Sequence, residues 1–370
     1  MDASRLAPRV PVCRPHLFGL EEGYVLEALR STQISGTGNF VERMEALVAE
    51  AAGTRYAVAV SSGTAAIDLA LEELRAGPGD EVIVPNFCMF APIAALLRRG
   101  VKVVPVDADD TWNMDPDEVE AALTPKTRGV MMVHTYGHPA DALRICDIAK
   151  RNGLWVLEDA AEALGATLEG RPAGSFGDIA VFSFYANKVV TTGEGGALVT
   201  NDAATAEHLR DLRNLCFGQT WSERFVHHRA GYNARLSNML AAFGCAQLPF
   251  LGRALDEKRS LARRYRERLE GIPGLILPPE SPRALNSYWV FGVLLPEHAV
   301  REAFADRLLK AGVETRPFFH PVSEQPCTPI AHRDFPRTAR LSRRGIYLPS
   351  FVGMPDGDFD RVIEGVRANL

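Results

Sequence analysis

In the segment Phe182-Ser-Phe-Tyr-Ala-Asn-Lys188-Val-Val-Thr-Thr-Gly-Glu-Gly-Gly196, a lysine stands between an apolar run and a glycine-rich loop. In an open α/β sheet such a lysine sits at the C-terminal edge of a strand, where these sheets bind ligands. Desolvation and neighbouring positive charge lower an ammonium's pKa there and leave a nucleophilic amine able to form a Schiff base. A solvated lysine beside a flexible turn is the plainer alternative. A second segment, Val156-Leu-Glu-Asp159-Ala-Ala-Glu162-Ala-Leu-Gly165, closes a buried strand on a carboxylate. That carboxylate suits pairing with a protonated ring nitrogen, which keeps a heterocycle electron-withdrawing. Alternatively it caps a helix formed by the run that follows.

Two more segments belong with these. Ser61-Ser-Gly-Thr64-Ala-Ala-Ile67 reads as a strand, a turn and a helix start. Gly63 lets the backbone approach a ligand, and the free N–H groups of the first helical turn can cradle a phosphate. Gly231-Tyr-Asn233-Ala-Arg-Leu-Ser-Asn238 is a loop entering a helix, to which residue chemistry alone assigns no role. His134 and His138 are four apart, but the Tyr-Gly between them and the Pro after them do not suit one helical face, and no metal site is read. The glycines at 193–196 lack the G-x-G-x-x-G spacing of a dinucleotide site.

The elements that must position these residues follow from alternating β-rich and helix-patterned runs, the signature of a parallel sheet with crossover helices. Strands are expected at Tyr56–Val60, Glu81–Val84, Val101–Val106, Gly129–Val133, Leu154–Leu157, Ile179–Phe184 and Ala197–Thr200. Helices are expected at Thr64–Arg75, Ala91–Arg99, Asp115–Leu123 and Asp141–Arg151, the last stopped by Asn152-Gly153. Helical patterns continue at Ser237–Leu248 and Asp256–Leu269. Pro and Gly then crowd Pro273–Pro282 and put a domain boundary near 250–280. Beyond it, strand-like Tyr288–Leu294, a helix at Ala299–Ala311 and a Pro-rich stretch from Arg316 to Pro329 read as a smaller α+β unit. The division is therefore 1–250, a large unit with the N-terminal segment, and 251–370, a small one.

Composition agrees with a ligand-binding globular chain. Of 370 residues 46% are hydrophobic and 24% charged, with a net charge of −5, so a sizeable core is expected. Lys and Arg are spread along the chain, which excludes the basic footprint of a nucleic-acid binder. The cysteines Cys13, Cys88, Cys146, Cys216, Cys245 and Cys327 form no Cys-x-x-Cys pair and read as reduced, mostly buried thiols. The first residues lack a signal-like apolar region, and no run of about 18 apolar residues occurs, so a cytoplasmic protein that does not enter a membrane is expected.

Taken together, in this order and at these separations, the four segments resemble the DegT/DnrJ/EryC1/StrS sugar aminotransferases. The resemblance implies an α/β, type I aspartate-aminotransferase-like fold, pyridoxal 5'-phosphate as cofactor, and glutamate and a nucleotide-linked keto-sugar as substrates. It implies that Lys188 carries the cofactor as a Schiff base, that Asp159 pairs with the pyridine nitrogen, and that Gly63, Thr64 and Ser183 hold the phosphate. Asn233 would complete the phosphate site from the partner subunit of a homodimer with shared active sites. Glu162 and Met89 join the cofactor contacts, and Ser35, Arg316, Phe319 and His320 the substrate contacts. The segments His134–Asp141, Leu212–Gly218, Arg224–His227, Glu314–Pro321 and Gly345–Ser350 resemble the branch that aminates C4 of GDP-4-keto-6-deoxymannose.

One stretch departs from that pattern. In Pro85-Asn-Phe-Cys-Met-Phe-Ala-Pro92-Ile-Ala94, relatives carry an aromatic residue where Met89 stands and Ser or Thr where Pro92 stands. Met89, Phe87 and Phe90 are each candidates for the ring contact, unless all three are core. Amination at C3 of a GDP- or dTDP-linked keto-sugar stays open at this point, as do two functions of other kinds. Relatives that dehydrate sugars place histidine where Lys188 stands, and a regulator that binds the cofactor without turnover would keep the same fold.

Overall fold

A computed structural model describes residues 9–218, 220–328, 330 and 333–370. The first eight residues, and Pro329 at the end of the Pro-rich stretch, lie outside the described residues. The centre is a seven-stranded sheet. From one edge to the other its strands are Tyr56–Val60, Gly196–Thr200, Ile179–Ser183, Trp155–Asp159, Thr127–Val133, Glu81–Pro85 and Lys102–Val106. All seven expected strands are present, with ends shifted by one or two residues. Five of them pair in parallel, while Gly196–Thr200 runs antiparallel to both its neighbours.

Successive side chains of a strand point to opposite faces, so two apolar layers form. Val58, Val60, Val82, Val84, Met131, Val133, Leu157, Val181 and Leu198 face helices Gly63–Glu73, Ala91–Arg98 and Ala203–Arg213. Ala57, Ala59, Phe182, Ala197 and Val199 face helices Asn39–Ala52 and Asn238–Gln247. Ile83, Val130, Met132 and Val156 face helix Ala142–Arg151. That helix ends as its sequence predicts: Gly153 takes φ +64°, and Leu154 N–H donates to the Ala149 carbonyl.

Within the 250–280 run, the helix expected at Asp256–Leu269 is present and starts five residues earlier. Leu251–Leu269 is one 19-residue helix, entered through a single 3-10 turn at Leu248–Phe250 that carries Pro249. It covers a three-stranded antiparallel sheet of Phe291–Leu294, Gly345–Leu348 and Arg316–Pro317, together with helices Arg301–Lys310 and Asp356–Asn369. Val10 joins this cluster through a bridge to Val313. We propose the division at 250/251 on the separation of these cores, with the segment around Val10 crossing to the smaller unit.

The thiols differ from expectation: Cys88 and Cys245 are buried, Cys327 is exposed and the other three lie between. Among the described residues no helix is long and apolar enough to cross a membrane.

Candidate active site

A cavity of about 470 Å³ opens at the C-terminal ends of the central strands. Gly63, Thr64, Met89, Asp159, Glu162, Ser183, Lys188 and Phe319 line it, so eight of the sequence-predicted residues meet in one place.

The turn after Tyr56–Val60 begins a helix at Gly63, capped by Ser62, whose hydroxyl accepts from Ala65 N–H at 3.1 Å. That cap leaves the first-turn N–H groups directed at the cavity. Ser183 lies across from Gly63, where an added Cβ would come within 3.0 Å of the serine Cβ. A Cβ on Gly196 would strike the backbone of Ser62 and Gly63 at 2.5–2.6 Å. Glycine at 196 thus lets the antiparallel strand lie directly against this turn.

Asp159 ends strand Trp155–Asp159, nearly buried, and its Oδ1 accepts from Ala161 N–H at 3.0 Å. No helix follows it, so the capping alternative falls and the carboxylate faces the cavity. Burial raises its pKa above the ordinary carboxylate value, against the Ala161 N–H and the pull of Lys188. The strand end is fixed from below by Glu158, which accepts from His134 Nε2 at 2.8 Å and from three backbone N–H groups, of Gly174, Phe176 and Gly177. His134 Nδ1 accepts from Ala140 N–H, so the proton lies on Nε2 and His134 N–H holds the Asp159 carbonyl.

Lys188 hangs from a loop closed on itself. Phe184 N–H donates to Gly195 O, Thr192 N–H to Phe184 O, and Lys188 N–H to Tyr185 O, each at 2.9 Å. Burial pushes the Lys188 ammonium below its ordinary pKa, although the carboxylates of Glu162 and Asp159 pull the other way. Glu162 is pushed up to about 7 by burial and by the nearby Asp159, while its Oε2 accepts from Tyr136 N–H at 2.7 Å.

That shift carries a stability consequence. A carboxyl with a raised folded-state pKa binds more protons folded than unfolded between about 4.5 and 7, so stability falls as pH rises through that window. Between pH 5 and pH 8 cofactor-free Glu162→Gln should gain roughly 2–3 kcal/mol relative to wild type, at about 1.4 kcal/mol per unit. Urea unfolding at both pH values measures it, and an unchanged difference would show that Glu162 titrates normally.

Phe87 is buried against Tyr136, Phe318 and Phe319, and Phe90 is partly buried against the apolar layer that includes Ile67 and Leu71. Met89 and Pro92 both line the cavity, with Met89 half exposed into it. The remaining expected residues lie elsewhere on this chain. Asn233 is exposed and bridges Asn214, Ser35 is exposed with its carbonyl accepting from Asn238 N–H, and His320 is exposed near Glu324. Arg316 is exposed on a strand whose partner residue, Tyr347, does reach the cavity.

Sequence reasoning missed Trp289, Tyr347, Tyr185 and Asn187, all of which line the cavity. Trp289 and Tyr347 come from the C-terminal unit, and nothing local in the sequence marks a residue that reaches a site by tertiary packing. A wider groove of about 1120 Å³ near Arg333, Arg340, Arg343 and Arg344 holds neither the lysine nor the Asp159 carboxylate.

The donor set fits pyridoxal phosphate. First-turn N–H groups with Thr64 and Ser183 suit a phosphate, the buried Asp159 carboxylate faces the cavity where a pyridinium would lie, and Lys188 faces both across one cavity. The sequence profile of the DegT/DnrJ/EryC1/StrS aminotransferase family matches residues 19–367. The chain is 37% identical to a GDP-perosamine synthase of Escherichia coli O157:H7, covering 97% of this chain and 98% of the relative. It is 38% identical to a GDP-perosamine synthase of Caulobacter vibrioides, covering 96% and 97%. The aminotransferase TlmJ from Streptoalloteichus hindustanus superposes with a TM-score of 0.93 at 31% identity over 98% of both chains. The chain belongs to the DegT/DnrJ/EryC1/StrS aminotransferase family, and is a pyridoxal-phosphate-dependent nucleotide-sugar aminotransferase of that fold.

Proposed function

We propose that the enzyme moves an amino group from L-glutamate to C4 of GDP-4-keto-6-deoxymannose, giving GDP-perosamine. The observation that carries this reading is near full-length similarity to GDP-perosamine synthases, combined with a cavity that gathers the lysine, carboxylates and phosphate turn. Lys188 where the dehydrating relatives have histidine argues against sugar dehydration, and the intact set of polar cavity residues argues against an idle regulator.

Bound in the cavity, pyridoxal phosphate supplies a carbonyl that takes up the amine and a ring that stores the electron pair released at carbon. The chain's residues do the rest. Gly63, Thr64 and Ser183 hold the phosphate group, and Asp159 keeps a proton on the ring nitrogen by its charge. Glu162, its carboxyl pushed up to about 7, lines the same cavity and can give or take a proton there near neutral pH. With the cofactor bound, the Lys188 amine would remove the proton from the glutamate carbon that bears nitrogen. In the second half it returns a proton to the sugar carbon that receives nitrogen. The two halves share one cavity, so ping-pong kinetics follow.

On family resemblance we assign Asn233, which lies outside its own chain's cavity, to the phosphate site of a partner subunit. Ser35, Arg316 and His320 are assigned to the sugar nucleotide on family resemblance, with Phe319 already at the cavity wall. The reading puts the reaction in the cytoplasm, where glutamate and sugar nucleotides are made.

Met89 takes the place of an aromatic contact on the cofactor ring. A thioether against a ring contributes about 0.3–1.5 kcal/mol, so Met89→Ala should weaken cofactor binding roughly two- to tenfold. Fluorescence titration of cofactor-free protein measures this, and unchanged affinity would remove Met89 from the site. The substrate itself is tested by incubating enzyme and glutamate with a panel of GDP-, dTDP- and UDP-linked keto-sugars. Formation of a 4-amino GDP-sugar with equimolar 2-oxoglutarate supports the reading, and a preference for a 3-keto or dTDP-linked sugar replaces it.

A further inference from the structure

The Lys188 amine rests on a surface the sequence did not announce. Its Nζ lies 3.8 Å from the centroid of the Trp289 indole, over the ring face. Trp289 is nearly buried and is tied at two points. Its indole Nε1 donates to the Asn187 carbonyl at 2.8 Å, one residue before the lysine, and its own carbonyl accepts from Lys258 Nζ at 3.1 Å. Lys258 in turn donates to the carbonyl and hydroxyl of Ser350, both at 2.5 Å. A small second cavity lies behind the first, lined by Cys13, His16, Lys258 and Phe351, and Lys188 and Trp289 line both. The two side chains therefore form the wall between the cavities, held by the C-terminal unit.

We propose that Trp289 is a positioning residue for amino transfer: its indole face holds the Lys188 ammonium whenever that amine is released, and its N–H fixes the loop from which the lysine swings. This rests on the aminotransferase reading of the site. A released lysine is a cation in a poorly solvated place, and an aromatic face attracts a cation there without competing for its proton as a carboxylate would. The direction is opposite to that of burial. Burial pushes the amine toward the neutral form, and the ring restores part of the charged form, so the lysine can cycle between proton acceptor and proton donor. The other groups facing Lys188 are Asp159, Glu162 and Cys13, with Lys258 beyond Cys13, and none is altered in the test.

The test uses Trp289→Phe, which keeps a weaker face and loses the N–H donor, and Trp289→Leu, which loses both. In cofactor-free protein, the rate of reductive methylation of Lys188 is followed by mass spectrometry against pH. The proposal expects the labelling midpoint to fall from wild type to Phe to Leu, by about one unit in all. Lys188 in the Leu variant would then label about tenfold faster below the midpoint. In the loaded enzyme, the glutamate half-reaction should slow about tenfold at saturation with little change in the glutamate concentration needed. A midpoint that stays or rises in both variants, with circular dichroism unchanged, overturns the proposal. If Leu does not fold, the Phe midpoint alone decides. Labelling needs neither cofactor nor sugar, so its failure is separable from failure of the substrate reading.

Discussion

Lys188→Ala is expected to lower amino transfer by at least about 10³-fold, because it removes both the group that carries the cofactor and the proton carrier at the reacting carbon. The variant should still fold. Lys188 hangs from a loop held by backbone and threonine hydrogen bonds and by the Trp289 indole N–H on the Asn187 carbonyl, none of which uses the lysine side chain. Pyridoxal phosphate should bind it without the visible band of the lysine-bound form, and glutamate should not change the spectrum within the time wild type needs. Visible absorption, steady-state rate and thermal melting together check this. Retention of the lysine-bound band in the variant would transfer the role to another amine.

The second large effect is expected at Asp159. Asp159→Asn keeps the oxygen that accepts from Ala161 N–H but loses the charge that holds a proton on the ring nitrogen. Removing one oriented electrostatic partner in a water-poor site costs about 10²–10³ in rate. The same change should leave cofactor-free protein at least as stable as wild type at pH 7, since burial outweighs the pull of Lys188 and leaves the Asp159 carboxylate disfavoured. Loss of activity together with undiminished stability marks a residue strained for the sake of its ligand. Both losses together would mark it as a support of the fold instead.

How much of this was legible depends on where the information sits. The seven strands were readable because each is a short buried run bounded by turn residues, and the lysine and aspartate because each ends such a run. The opposed direction of Gly196–Thr200 was not, since a strand buried on both faces shows no direction in its composition. Helix Asn39–Ala52 carries a clear signal, with Phe40, Met44, Val48 and Ala52 buried along one face and Gly53 closing it. Three other helices, Glu21–Arg30, Ala203–Arg213 and Pro336–Arg344, are short and largely polar, and their burial is decided by what they pack on. Trp289 shows the limit most plainly. Its neighbours read as an ordinary strand approach, and only the docking of the C-terminal unit brings its ring beneath Lys188.

The place of Tyr56–Val60 in the sheet also bears on how the protein is made. This strand is synthesised before any other in the sheet, yet its only strand partner there is Gly196–Thr200, made last. On the ribosome it waits with an open edge while the parallel strands between them are laid down. Pairings so distant along the chain are slow to form. The same closing step brings Gly196 against Ser62 and Gly63 and lays Ser183 opposite them. A nascent chain cannot seize the cofactor through its early glycine turn, and vitamin capture becomes a report that the sheet is finished.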